Sequence, residues 1–288
     1  MNPYVIYTDS ACDILPETLA AWNVPYVSLT FRIDGNETEY TERDIPSSEF
    51  YNRMREGSVA KTSAVNIETF RAAFEAELKA GRDVLYIGFS SGLSATYNSA
   101  RIAAEQLAQD YPERRVITID SLCASAGFGL LVALAVRKRD AGATLDELAD
   151  YVKNAVPGIC HWFTVDDLVY LKRGGRVSPT VAFVGNLLGI KPVLHVDDEG
   201  HLINMTKARG RRAAIAALAQ KYGELLADSA CNEAFISHGD CLQDAELLKT
   251  MLERDYGANV TLITPVGTVI GAHSGPGTLA LFFIGKAR

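Results

Sequence analysis

Asp83-Val84-Leu85-Tyr86-Ile87-Gly88-Phe89-Ser90-Ser91-Gly92-Leu93-Ser94-Ala95-Thr96-Tyr97-Asn98-Ser99-Ala100 runs from a short apolar stretch through a glycine into a hydroxyl-rich turn, and from there into a helical pattern. That order reads as a buried strand, a tight turn and a helix N-terminus. Ser90, Ser91 and Ser94 fall where a helix offers unpaired backbone N–H groups and the positive end of its dipole. Such a turn caps its helix, binds an anion or activates a serine. The third option has a sequence form here. Gly88-Phe89-Ser90-Ser91-Gly92 fits G-x-S-x-G, the nucleophile elbow of α/β-hydrolases, and Asp240 and His273 follow in the order a serine hydrolase triad needs. Against it, the sequence carries no HGG-type oxyanion loop.

Around this stretch, short apolar runs alternate with helical patterns. Residues 4–7, 24–29, 84–87 and 116–119 read as strands. Residues 13–21 read as a helix with Asp13 as N-cap, and Ser47 or Ser48 is the expected cap of a helix through Met54. Residues 67–78, 95–108, 124–136 and 145–155 are further helices. Such alternation implies a parallel sheet with helices on both faces. After Pro157-Gly158 the pattern changes. Residues 161–165, 190–196, 202–207, 234–238, 260–265 and 279–284 read as strands, and 167–171, 211–227 and 243–256 as helices. The expected fold is α/β: an N-terminal parallel-sheet α/β domain over 1–157, then a C-terminal α+β domain with a mostly antiparallel sheet over 158–288.

The composition narrows the function. Of 288 residues, 48% are hydrophobic and 22% charged, enough for a sizeable core. A net charge of -7 argues against a general nucleic-acid binder, which needs a basic face. No uncharged apolar stretch reaches membrane-spanning length, and no secretory leader is visible, so the expected location is cytoplasmic. Cys12, Cys123, Cys160, Cys231 and Cys241 form no C-x-x-C pair, and the histidines show no HExxH spacing. Scattered reduced thiols and no metal site follow.

Other clusters have a bland reading beside a functional one. Lys61-Thr62-Ser63-Ala64-Val65-Asn66 leads into a helix that Asn66 or Ser63 would cap. Leu171-Lys172-Arg173-Gly174-Gly175-Arg176 is a solvated helix end, or a docking point for a phosphate or an acidic partner, with Arg173 as the fork-shaped donor. Lys207, Arg209, Arg211 and Arg212 read as a solvated face. His273-Ser274-Gly275-Pro276-Gly277 fixes an unusual backbone path around a histidine able to meet an anion. Asp9-Ser10 follows the first strand, at the sheet edge where ligands gather. There is no Walker A sequence, and Gly127-Phe128-Gly129 lacks the third glycine of a dinucleotide fingerprint.

Taken in order, Asp9-Ser10, Thr62-Ser63, Ser90-Ser91-Gly92-Leu93-Ser94-x-Thr96-Tyr97, Leu171 to Arg176, Lys191-Pro192 and His273-x-Gly275-Pro276-Gly277 resemble the DegV family of bacterial fatty-acid-binding proteins over essentially the whole chain. The resemblance implies one long-chain fatty acid in a tunnel between two domains, with no other cofactor. It implies Thr62, Ser91 and His273 around the carboxylate, with Ser63, Ser90, Ser94 and Ser274 as secondary headgroup candidates. It ties Arg173 to a separate ATP-using fatty acid kinase subunit related to dihydroxyacetone kinases, for which this chain would be the non-catalytic lipid carrier. Three departures stand near the implied headgroup site: Ala64-Val65-Asn66 after Thr62-Ser63, Ala95 for a glycine, and Ser274 for an alanine.

Overall fold

The computed structural model describes residues 3–177 and 189–288, apart from the side chain of Ser229. The first half contains β1 (Tyr4–Asp9), α1 (Pro16–Ala21), β2 (Tyr26–Val27), β3 (Thr30–Ile33), α2 (Ser47–Arg55), β4 (Ala60–Ser63), α3 (Ile67–Lys79), β5 (Asp83–Gly88), α4 (Thr96–Asp110), β6 (Val116–Asp120), α5 (Ser125–Asp140) and α6 (Leu145–Ala155). The second contains β7 (Ile159–Thr164), α7 (Val169–Arg173), β8 (Ile190–Val196), β9 (Leu202–Arg209), α8 (Arg211–Leu225), β10 (Glu233–His238), α9 (Leu242–Tyr256), β11 (Asn259–Pro265), α10 (Thr268–Ser274) and β12 (Leu279–Ile284).

The N-terminal region holds a parallel sheet in the order β2-β1-β5-β6. Every residue of β5 is buried, so both faces of its sheet are covered. α3 and α4 pack together against β5, and α5 and α6 pack together against β1 and β6. The C-terminal region holds a mixed sheet in the order β11-β10-β12-β7-β8-β9, antiparallel at every pairing except β10 with β11. Its pleat separates two jobs. Ala234 and Ile236 of β10 pack outward with residues of α8 and α9, whereas Phe235 and Ser237 face the first half.

α5 joins the two halves. It is buried at every position from Ser125 to Val136 and contacts β1 on one side and β7, β10 and β12 on the other. A helix apolar all round is a core helix. Gly127 lets β7 and β12 come close: a Cβ there would lie 2.4 Å from His161 Nε2 and 2.5 Å from Phe282. Packing, not phosphate binding, accounts for that glycine.

Several local expectations change. The first helix starts at Pro16 without a side-chain cap; Asp13 instead ends the 3-10 turn Ser10–Cys12 in a left-handed conformation, with its side chain turned into the interior. α2 is preceded by Pro46, so neither Ser47 nor Ser48 caps it. The strand expected over 24–29 is only Tyr26–Val27, because the chain then leaves the sheet to form the separate antiparallel pair β3–β4. Thr62 therefore lies on a strand, opposite Phe31. Asn66 does cap α3, accepting from Thr69 N–H at 2.8 Å.

Candidate functional site

A cavity of about 260 Å³ lies between the inner face of the six-stranded sheet and the turns of the first half. Phe89, Leu93, Phe163, Leu202, Val269 and Phe282 make most of its wall apolar. A polar group occupies one part of that wall. Thr62 comes from β4, His273 from the last turn of α10, Ser94 from the turn before α4, and Arg176 from the loop after α7.

Thr62 Oγ1 and His273 Nε2 are 2.7 Å apart. Burial, with the nearby positive charge of Arg176, pushes the imidazole down to about 4, so it is neutral at pH 7. Its Nδ1 is buried and has no hydrogen-bond partner among the described residues. The ring lies against the backbone of Gly174, where a Cβ would sit 2.1 Å from Nδ1, so only glycine admits it. Ser94 Oγ accepts from Thr96 N–H at 3.2 Å and bonds Thr96 Oγ1 at 2.9 Å. Ala95 precedes α4 without a side-chain cap, so this helix N-terminus opens beside the cavity that Ser94 and Ala95 line.

Arg176 clamps this arrangement. Its Nε and Nη2 donate to Leu93 O at 3.1 and 2.9 Å, and Nη1 donates to Gly174 O. It thereby ties the serine turn to the loop that backs His273. Its guanidinium is partly buried, which lowers its pKa, and no carboxylate among the described residues pairs with it. In the sequence Arg176 read only as one cation of a run; that it stands unpaired depends on what the fold brings near.

The remaining candidates divide. Ser63 and Ser274 line the cavity, and Ser274 Oγ is buried with no partner among the described residues. Ser91 does not line it. Ser91 is exposed, and its N–H donates to Asp120 Oδ1 at 3.2 Å. Ser94, whose N–H donates to Ser90 O, lines the cavity, whereas Ser90 and Ser91 do not. Arg173 is exposed outside the cavity, its guanidinium carbon 5.7 Å from the Tyr170 ring centroid.

The residues of the hydrolase alternative do not assemble. Ser90 is fully buried; its Oγ donates to Gly200 O at 3.0 Å and accepts from Gly92 N–H. His273 bonds Thr62, and exposed Asp240 pairs with Arg55. Ser90 also lacks the left-handed backbone found at Ser125. Among the described residues no His, Cys, Asp and Glu cluster suits a metal ion, and no helix is long and apolar enough to cross a membrane.

A family profile described as uncharacterised protein, DegV family, matches residues 3–286. A DegV domain-containing protein from Clostridium perfringens is 41% identical, the match covering 100% of this chain and 99% of that one. Two solved structures share the fold. A DegV lipid-binding protein from Thermotoga maritima has a TM-score of 0.84 at 30% identity, covering 99% of each chain. A stearic-acid-binding protein from Eubacterium ventriosum has a TM-score of 0.88 at 27% identity, covering 98% of each.

Proposed function

This chain belongs to the DegV family, and from that premise we propose that it binds one long-chain fatty acid in its cavity and presents the carboxylate at Thr62, Ser94 and His273. The observation that carries the reading is Arg176, a partly buried guanidinium without a carboxylate partner among the described residues, in the wall of an apolar cavity. A charge so placed is costly until an anion joins it. A tail of about sixteen carbons would gross roughly 11 kcal/mol at ~0.8 per buried methylene, before ordering costs. The lipid- and stearate-binding relatives support the same ligand class.

In this reading the neutral imidazole donates from Nε2 to Thr62 Oγ1, which leaves the Thr62 hydroxyl hydrogen for the carboxylate. His273 Nδ1 then carries no proton, as suits a position near the Arg176 charge. Ser94 and the N-terminus of α4 supply the other donors. Ser94 takes the place assigned to Ser91 from the sequence. The chain acts in the cytoplasm without catalysis of its own. Residues 1–157 and 158–288 are the two domains that close on the lipid. A separate kinase subunit docks over exposed Arg173 and transfers the γ-phosphoryl group of ATP to a carboxylate oxygen, releasing ADP.

Native mass spectrometry of freshly purified protein tests the ligand: a bound mass equal to a long-chain fatty acid is expected. Protein that carries no lipid, and takes up none when offered long-chain acids, defeats the reading. Arg173→Ala should abolish pull-down of the kinase subunit while leaving the lipid bound.

A further inference from the structure

A second polar element in the cavity wall is not used by the headgroup. Ser237, fully buried on the inner face of β10, lies 2.9 Å from Ser125 Oγ, and Ser125 Oγ donates to Asp13 Oδ2 at 2.5 Å. Both serines line the cavity. The Asp13 carboxyl also accepts from the Gly267 N–H at the start of α10. While the Asp13 carboxyl is ionised both of its oxygens accept, so Ser125 donates to Asp13 and Ser237 donates to Ser125. Ser237 is then left with unused lone pairs at the cavity wall, near Phe282 and Ala280 on the neighbouring strand. A plain methylene chain passing Ser237 leaves those lone pairs unmet, whereas a hydroxyl on the chain donates to them.

We propose that Ser237, oriented by Ser125 and Asp13, is a subsite for a hydroxyl group carried along the acyl chain, so that this cavity accepts hydroxylated long-chain fatty acids. The subsite rests on the fatty-acid reading above. A hydroxyl fits either direction of the Asp13–Ser125–Ser237 chain because it both donates and accepts; a keto group fits only when Ser237 donates.

The test is competition binding of positional isomers of hydroxystearic acid against stearic acid, on wild-type protein and on Ser237→Ala and Ser237→Cys. At least one isomer should bind wild type as tightly as stearic acid, and lose about tenfold relative to stearic acid in both variants. The subsite is overturned if every isomer binds wild type more than tenfold more weakly than stearic acid, or if the ratio is the same in the variants. The stearic acid arm reads the parent proposal separately: if stearic acid itself fails on wild type, the fatty-acid reading falls and the subsite with it.

Discussion

Two strand–turn–helix junctions stand side by side at the carboxyl edge of the parallel sheet, one joining β5 to α4 and the other β6 to α5. They are stitched together, Ser90 N–H donating to Cys123 O and Ser121 N–H to Gly88 O, each at 3.1 Å. Both end in serines that line the cavity, Ser94 and Ser125. Yet their chemistry is opposite. The first turn has relaxed backbone at Ser90 and leaves a neighbouring cation, Arg176, without a counter-charge among the described residues. The second holds Leu122 and Ser125 at φ 50 and 54 and turns Ser125 onto a buried carboxylate. One junction waits for an anion from outside; the other already contains its own carboxyl group. The G-x-S-x-G pattern drew attention to the first as a strained elbow, but the strain is in the second, where the sequence Ser121-Leu122-Cys123-Ala124-Ser125 carries no such pattern.

The largest effect that separates them is a pH dependence of stability. Burial pushes Asp13 up to about 7 against 3.8 for the free side chain, the hydrogen bonds from Ser125 and Gly267 offsetting only part of it. Between those values the folded protein holds a proton on Asp13 that the unfolded chain has released. Asp13 therefore costs stability as pH rises from about 4 to 7, and the cost is complete above 7. Asp13→Asn keeps an acceptor for Gly267 and places an amide donor toward Ser125. Relative to wild type it should gain about 3 kcal/mol between pH 5 and pH 8 in denaturant unfolding. A constant difference across that range would mean that Asp13 is already ionised at pH 5 in the folded state, with no raised pKa, and the pH signature that marks the second turn would be absent.

The first junction breaks at its clamp. Arg176→Met removes the charge and the bonds to Leu93 O while keeping much of the side-chain volume. It should weaken fatty acid binding by about 2 kcal/mol, roughly thirtyfold, measured by displacement of a fluorescent fatty acid. Unchanged affinity would show that the cation is not the counter-charge.

How far such contrasts are legible in the sequence depends on the distance over which each is decided. β5, its turn and α4 are local, and composition announces them. β4 is not, because Ala60–Ser63 is a strand only through its pairing with Thr30–Ile33, across a long insertion. α10 is a helix of seven residues with Gly271 inside it, too short for a periodic signal to outweigh the glycine and proline that follow. Only the family resemblance marks Thr62 and His273 in the sequence, and their contact across 211 positions is not encoded in either neighbourhood. Asp13 has the spelling of a helix cap and becomes an interior carboxyl only because α5 and α10 both begin beside it.

The smallest effect is also the most discriminating, because it separates two serines three positions apart. Ser94 lines the cavity; Ser91 is exposed, and its backbone N–H donates to Asp120 Oδ1. Ser94→Ala should reduce fatty acid affinity by about 1 kcal/mol, near fivefold, since one hydroxyl donor is lost while the N-terminus of α4 remains. Part of that loss would come from Ser94's own bonds to Thr96, whose Oγ1 also accepts from Val65 N–H at 3.3 Å and so touches the loop after Thr62. Thr96→Val separates the two contributions: it removes that hydroxyl but leaves Ser94 free to donate. Ser91→Ala should leave affinity unchanged. The reverse ranking, with Ser91→Ala costly and Ser94→Ala silent, requires the turn to rotate by about one residue in the bound state. That rotation would break the Ser91 N–H bond to Asp120 and the Arg176 bonds to Leu93 O, the contacts that now hold the first junction against the second.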